Sequence, residues 1–278
     1  MTWWAIDVRT PAEQRDRLGA WLVSVTGQAV EEQDDGTLVA FAPDEESAKG
    51  LIEELDRSAE WPVEARRRSV PVTDWSTKWR EGLTARRLGR LTVVPSWLPE
   101  AAAANLVTVV LDPETAFGSG EHGSTRAALK LMDSLVHPGC RVMDLGSGSG
   151  ILSIAAIKLG AASALGIEID GEANQVARRN AVRNGVADRV EFLEGDAASL
   201  SALAGPVDLV LSNILRTVNT SLLPAIALAL RPHGIAIFSG MEQPEAPEFM
   251  QALKEAGFIP RQESLDEGWW AVAAERPA

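Results

Sequence analysis

The residues best suited to chemistry form the run Asp144-Leu-Gly-Ser-Gly-Ser-Gly150, which follows the apolar stretch Arg141–Leu145 and precedes a helical pattern. Glycines at such a turn let the backbone bend sharply and approach a ligand closely. In open α/β sheets, ligands bind at the carboxyl ends of the strands. A dinucleotide site would need G-x-G-x-x-G. Counted from Gly146 the sixth position is Ile151, so that fingerprint fails. Asp144, two residues ahead of Gly146, would also set a second negative charge against a pyrophosphate. Two more acids close the next strand-like runs: Glu168, 22 residues after Gly146, and Asp196 in Gly195-Asp196. A single acid of this kind is ordinarily a solvated loop carboxylate. Three at successive strand ends are not explained that way.

A cofactor that carries a cation, an amino-carboxylate and an adenosine, with no phosphate, satisfies this pattern: S-adenosylmethionine. Gly146, Gly148 and Gly150 would shape its loop. Asp144 would receive the amino group, directly or through water. Glu168 would accept hydrogen bonds from both ribose hydroxyls, and Asp196 would reach the adenine edge. The fourth strand-like run ends in Ser212-Asn213-Ile214-Leu215. The carbonyl oxygen of Asn213 can accept a hydrogen bond from an incoming amine and turn its lone pair toward a methyl group, a positioning mechanism. The bland alternative is an asparagine that turns the chain after a strand. The sequence lacks the Asn-Pro-Pro-aromatic form that suits planar amides and amidines, which favours an aliphatic amine.

Upstream lies Asp112-Pro-Glu-Thr-Ala-Phe-Gly-Ser-Gly-Glu-His-Gly-Ser-Thr125, a glycine-rich segment expected to fold over the cofactor. Phe117 would supply an apolar wall, and Thr125 would touch the cofactor from the first turn of a helix over Thr125–Leu135. For His122, a lone loop histidine, a structural or solvated role outweighs a catalytic one. His137 and His233 flank turns. No two histidines stand at metal-ligand spacing, and no convincing serine triad is present, so no metal is expected.

The elements that must position these residues alternate strand and helix from about Cys140 onward. The strands are expected at Arg141–Leu145, Ala164–Ile169, Val190–Leu193, Val207–Ser212, Ile235–Ser239 and Trp269–Ala274. Helices are expected over Ile151–Lys158, Glu172–Arg183, Thr220–Leu230 and Ala246–Ala256. This rhythm predicts an α/β, doubly wound, Rossmann-like parallel sheet with helices on both faces. Residues 1–69 read as a separate small α+β domain in β-α-β-α-β order: Trp3–Val8, Ala12–Val23, Thr37–Ala42, Glu45–Leu55 and Trp61–Val70. Residues 70–87 read as a linker, with a short helix capped by Asp74 and carrying Trp75 and Trp79. Residues 88–278 form the cofactor domain, which opens with strands at Leu91–Val94 and Leu106–Leu111. The arginines at 66–68 and Arg86, Arg87 and Arg90 read as solvated faces.

The 278 residues carry a net charge of −13. The first 69 share in this, with 15 acids against 8 Lys and Arg. Such a field attracts basic partners and repels phosphate, so a basic protein substrate is expected and direct nucleic-acid binding is not. The single cysteine, Cys140, allows no intramolecular disulfide. The longest apolar stretches, such as Ile226–Leu230, fall far short of the roughly 20 residues of a membrane span. The start MTWWAIDVRT lacks a signal-peptide pattern. A cytoplasmic protein is expected.

Three segments, LDPETAFGSGEHGSTRAALKLM, VMDLGSGSGILSIAAIKLGAASALGIEID and NILRTVNTSLLPAI, resemble the bacterial ribosomal protein L11 methyltransferases. DWSTKWREG and LTVVPSW are similar to that family's linker region. The resemblance runs from about residue 70 to the end and is one of layout only in the first 69 residues. It implies a class I methyltransferase fold and S-adenosylmethionine as cofactor. It also implies an N-terminal domain that holds the substrate, a flexible linker that presents it, and cofactor contacts at Thr125, Gly146, Glu168 and Asn213. The chain departs from the family's His-Pro-Thr-Thr with His122-Gly123-Ser124-Thr125. It also has Ser147 where a cysteine or threonine is frequent. The implied reaction is methylation of lysine or α-amino groups of a large-subunit stalk-base protein. Three alternatives stay open on sequence: another protein lysine, small amine or RNA as acceptor; a non-enzymatic cofactor-binding protein on the same fold; and an oxidoreductase, which Ile151 disfavours.

Overall fold

The structure, a computed structural model, describes residues 3–26, 30–33, 35–59, 61–70, 83–98 and 105–278. The chain divides into two compact units, Met1–Lys78 and Trp79–Ala278.

The first unit is an antiparallel sheet of β1 (Trp3–Arg9), β2 (Glu31–Glu32), β3 (Leu38–Ala42) and β4 (Glu64–Val70), in the order β2-β3-β1-β4. It carries the helices α1 (Arg15–Thr26) and α2 (Glu45–Ser58). Ile6 and Val8 alternate inward on β1. They meet Leu18 and Leu22, four apart on α1, and Leu51 and Leu55, four apart on α2. Asp44 starts α2 by accepting the Ser47 N–H at 2.7 Å. The expected elements are present. The strand at Glu31–Glu32, two acids long, carries no apolar pattern and was not expected.

The second unit opens with a three-stranded sheet, β5 (Arg86–Leu88), β6 (Leu91–Val94) and β7 (Val107–Val110). The linker helix expected around Asp74, Trp75 and Trp79 lies outside the described residues, as does the alanine run at 101–104. The arginines read as solvated faces are exposed, and several are paired: Arg67 with Glu45 at 3.0 Å, Arg68 with Asp7 at 2.9 Å and Arg90 with Asp133 at 2.8 Å.

The main sheet follows. After α3 (Gly123–Leu135) come β8 (Arg141–Leu145), α4 (Ile151–Leu159), β9 (Ser163–Glu168), α5 (Gly171–Arg183), β10 (Val190–Glu194) and α6 (Ala197–Ala204). The chain continues through β11 (Val207–Asn213), α7 (Arg216–Ala229), β12 (Leu230–Glu242), α8 (Ala246–Glu255), β13 (Ile259–Asp266) and β14 (Trp269–Glu275). The order is β10-β9-β8-β11-β12-β14-β13. The strands β8 to β12 run parallel, and β14 is inserted antiparallel to both β12 and β13. The chain therefore winds outward from β8 to β10, then returns to β11 on the other side of β8. That reversal opens a crevice above the β8 and β11 ends, the place where such sheets bind ligands. Each face has its own core: Val142, Leu209 and Leu211 pack on one, Met143, Leu145 and Val210 on the other. Among the described residues no helix is long and apolar enough to cross a membrane.

Candidate active site

A cleft of about 580 Å³ lies over the carboxyl ends of the parallel strands. Its size falls within the roughly 300–1,000 Å³ of small-molecule pockets. Gly146, Gly148, Glu168, Asp196, Asn213 and Phe117 line it, so six of the residues singled out by sequence share one cavity. Thr125, Asp144 and Gly150 stand behind its walls, all three buried.

The glycine loop is shaped by close packing. Gly148 has φ +51°, and a Cβ there would lie 2.6 Å from the carbonyl oxygen of Phe117. Only glycine lets the segment carrying Phe117 come down on the loop. The Ser149 N–H donates to that same carbonyl at 2.9 Å. The exposed Phe117 is thereby brought to the cleft lining.

Glu168 ends β9 and binds the loop. Its Oε2 accepts the Gly148 N–H at 3.0 Å, and its Oε1 accepts the N–H groups of Ile169 and Asp170 at 2.8 and 3.1 Å. A carboxylate has about four acceptor positions. With three filled, Glu168 can take one hydroxyl as it stands, and a pair only by releasing one of these N–H groups. Asp196 also has structural work. As N-cap of α6 it accepts the Ala198 N–H at 3.2 Å and the Ser199 hydroxyl at 2.8 Å. The hydrogen bonds from Ser199 and the Ala198 N–H hold its carboxyl below the usual range.

Asp144 is placed differently from the sequence expectation. Its side chain is buried beneath the loop, and its Oδ2 accepts both the N–H of Ser153 at 3.0 Å and the Ser153 hydroxyl at 2.7 Å. These bonds tie β8 to α4. Loss of water pushes its pKa up to about 6; the Ser153 bonds pull it down, and the nearby Glu168 charge adds to the rise. The cleft wall does not include it, so a direct contact with a cofactor amino group is not built here.

At the β11 end the arrangement fits an amine. The Asn213 Nδ2 donates to the Thr125 Oγ1 at 3.2 Å, and Asn213 Oδ1 is buried with no partner. An unpaired buried acceptor costs about 1–3 kcal/mol, so its retention at a cleft wall points to a ligand donor. The strand end is braced from below: Asn219 Nδ2 donates to the carbonyls of Ile214 and Ser239, each at 2.9 Å, and the Ser212 hydroxyl donates to Asn219 Oδ1 at 2.6 Å. The Ser239 hydroxyl donates to the Ser124 carbonyl at 2.8 Å, which ties α3 to β12 and fixes Thr125 opposite Asn213.

His122 has a structural role, as the N-cap of α3. Its Nδ1 lies 2.7 Å from the Ser124 hydroxyl and accepts the Ser124 N–H at 3.4 Å, which caps α3. Burial, aided by the Arg126 charge, lowers its pKa. Trp269 also lines the cleft and packs on His122 at 4.2 Å between ring centroids. Its sequence signal was only a tryptophan pair after Gly268, read as the start of a strand. Ile214, Leu215 and Val218 complete an apolar wall that the helical pattern of α7 did not mark as a site.

The cleft can hold an adenosine-bearing cation: it has apolar walls, a hydroxyl-accepting carboxylate and, in its wall at Asn213, a buried amide oxygen with no hydrogen-bond partner among the described residues. With the strand order above, fold and site define a class I S-adenosylmethionine-dependent methyltransferase. The family model described as "Ribosomal protein L11 methyltransferase (PrmA)" matches residues 13–277. The ribosomal protein L11 methyltransferase of Pasteurella multocida is 33% identical over 298 residues, covering 99% of each chain. That of Thermus thermophilus is 38% identical over 77% of this chain and 81% of its own. Among solved structures, the ribosomal protein L11 methylase of Lactobacillus delbrueckii subsp. bulgaricus superposes with a TM-score of 0.63 at 32% identity, covering 70% of this chain and all of that one. The chain belongs to the ribosomal protein L11 methyltransferase family.

Proposed function

We propose that this protein transfers methyl groups from S-adenosylmethionine to amine nitrogens of ribosomal protein L11, on lysine side chains or the α-amino group. The observation that carries the reading is the buried, unpartnered Oδ1 of Asn213, with its amide held in orientation by Thr125. When bound, the cofactor supplies an electrophilic methyl on a sulfonium. Gly146, Gly148, Glu168 and Asp196 hold the nucleoside part. Asn213 Oδ1 would accept an N–H of the neutral amine and orient its lone pair for transfer of the methyl group, which would leave the sulfonium as a neutral thioether. The surplus proton on nitrogen passes to water. No step is assigned to His122, whose Nδ1 caps α3.

The net charge of −13 suits a basic substrate. In this reading residues 1–69 recognise the substrate, 70–87 link, 88–278 carry the chemistry, and the protein works in the cytoplasm. The test is incubation of the purified protein with methyl-labelled S-adenosylmethionine and total ribosomal proteins from cells lacking the enzyme. Label on L11 is expected. Label confined to another protein or to RNA, or cofactor binding without any label, would overturn the assignment.

A further inference from the structure

The turn between β13 and β14 is seated on the first turn of α3, and the seat depends on one missing side chain. A Cβ at Gly123 would lie 2.6 Å from the Asp266 carbonyl oxygen, 2.6 Å from Trp269 Cδ1 and 3.2 Å from Trp269 Cγ. A side chain here would force the turn outward, since one of these contacts is with backbone and the other two are with a packed indole. Proline, which the resembled motif has at this position, carries that Cβ as well.

The first two turns of α3 clamp the loop they seat. Arg126 Nε donates to Asp266 Oδ1 at 2.9 Å, Arg126 Nη2 pairs with Glu267 Oε2 at 2.7 Å, and Lys130 Nζ pairs with Asp266 Oδ2 at 2.6 Å. The result is a row of rings along one cleft wall: Trp269 on His122 at 4.2 Å, and His122 on Phe117 at 5.3 Å. Strand order places this wall. Glu168 ends β9 and Asp196 follows β10 on one side of the β8 and β11 crevice, whereas Trp269 begins β14, beyond Asn213 on the other. Trp269 therefore bounds the end of the cleft where Asn213 lies.

We infer that Gly123 is a specificity-determining residue, because the space left by its absent side chain seats Trp269 against His122 and so sets the width of the acceptor end of the cleft. The inference rests on the proposed amine methylation for what enters that end. Gly123 touches no acceptor in this account; it is a positioning residue that acts through Trp269.

The test is a double-mutant cycle of Gly123→Ala and Trp269→Ala with L11 as acceptor, read by kcat/KM, together with the Kd of S-adenosylhomocysteine. The expected result is a loss of about tenfold in acceptor kcat/KM for Gly123→Ala with the S-adenosylhomocysteine Kd held, and no further loss when it is added to Trp269→Ala. Additive losses, or a loss that follows cofactor affinity, would overturn the inference. A second readout does not need activity: the fluorine resonance of Trp269 in 5-fluorotryptophan-labelled protein, assigned with Trp269→Phe. It should move in Gly123→Ala, and an unmoved resonance would sink the seat. If the wild type fails to methylate L11 while that resonance moves, the substrate reading fails and the seat stands.

Discussion

Asn213 and Thr125 meet across 88 residues of sequence, with the asparagine Nδ2 donating to the threonine Oγ1 at 3.2 Å. That bond fixes which end of the amide is left free, and the free end is the acceptor oxygen. Asn213→Ala should lower kcat by about a hundredfold, the scale of a misplaced reacting group, while the Kd for S-adenosylhomocysteine changes far less. Thr125→Val keeps the shape but releases the amide to rotate, and should show a smaller kcat loss with the same pattern. Isothermal titration beside steady-state kinetics separates the two quantities. Equal losses in kcat and cofactor affinity would move Asn213 from orientation to binding.

Asp144 gives a pH signature of stability. Its folded pKa, about 6, lies above the ordinary value of 3.8. Folding therefore favours the protonated form: its contribution is fully present below about 3.8 and is lost as pH rises through about 6. The rise is worth about 3 kcal/mol. Asp144→Asn keeps an acceptor for Ser153 without the buried charge. Urea unfolding should show the variant gaining stability relative to wild type as pH goes from 4 to 8. A difference that is flat with pH would mean that Asp144 is not desolvated.

The Arg126 pair with Asp266 is nearly enclosed, with side-chain exposures of 9% and 11%. Burial raises the Asp266 pKa, but the hydrogen bonds and charges of Arg126 and Lys130 outweigh it and hold the carboxyl below its ordinary range. That stability is present above the ordinary pKa and lost as pH falls. Arg126→Met leaves a buried carboxylate short of its partner, and should cost about 3 kcal/mol in urea unfolding. Unchanged stability would show that the turn is held by packing alone.

His122 acts on α3 rather than on protons in transit. His122→Asn, which keeps a cap acceptor, should hold thermal stability, and His122→Ala should lose about 1 kcal/mol. Because the folded pKa of His122 is lowered, its own contribution is present above 6.5 and lost as pH falls, opposite in sign to Asp144. Activity should rise toward alkaline pH in wild type and in His122→Asn alike, since an unperturbed lysine has a pKa of about 10.4. A pH–rate step that disappears in His122→Asn would make the histidine a general base.

What the sequence disclosed was local. The run Asp144–Gly150 carries its own turn signal, and Glu168, Asp196 and Asn213 close apolar strand runs whose order fixes where they meet. The strand β13 escaped because it is an edge strand with most side chains exposed, so its sequence IPRQESLD shows no apolar alternation. The short helix α6, AASLSALA, has small residues and one buried position, Ser201, and so no apolar stripe. Asp144 could be read as an acid near a ligand, but its burial under Ser153 depends on how α4 docks. Trp269 became a site residue only through contacts with His122 and Gly123 at the start of α3, which no local pattern records.

The central claim is that an amine nitrogen receives the methyl. Fragmentation mass spectrometry of L11 after reaction with the purified protein and S-adenosylmethionine tests this atom by atom. The account predicts methyl groups on lysine Nζ or on the α-amino nitrogen, strongly reduced in Asn213→Ala. Methyl groups on arginine, glutamine or histidine, or the same yield from Asn213→Ala, would contradict it.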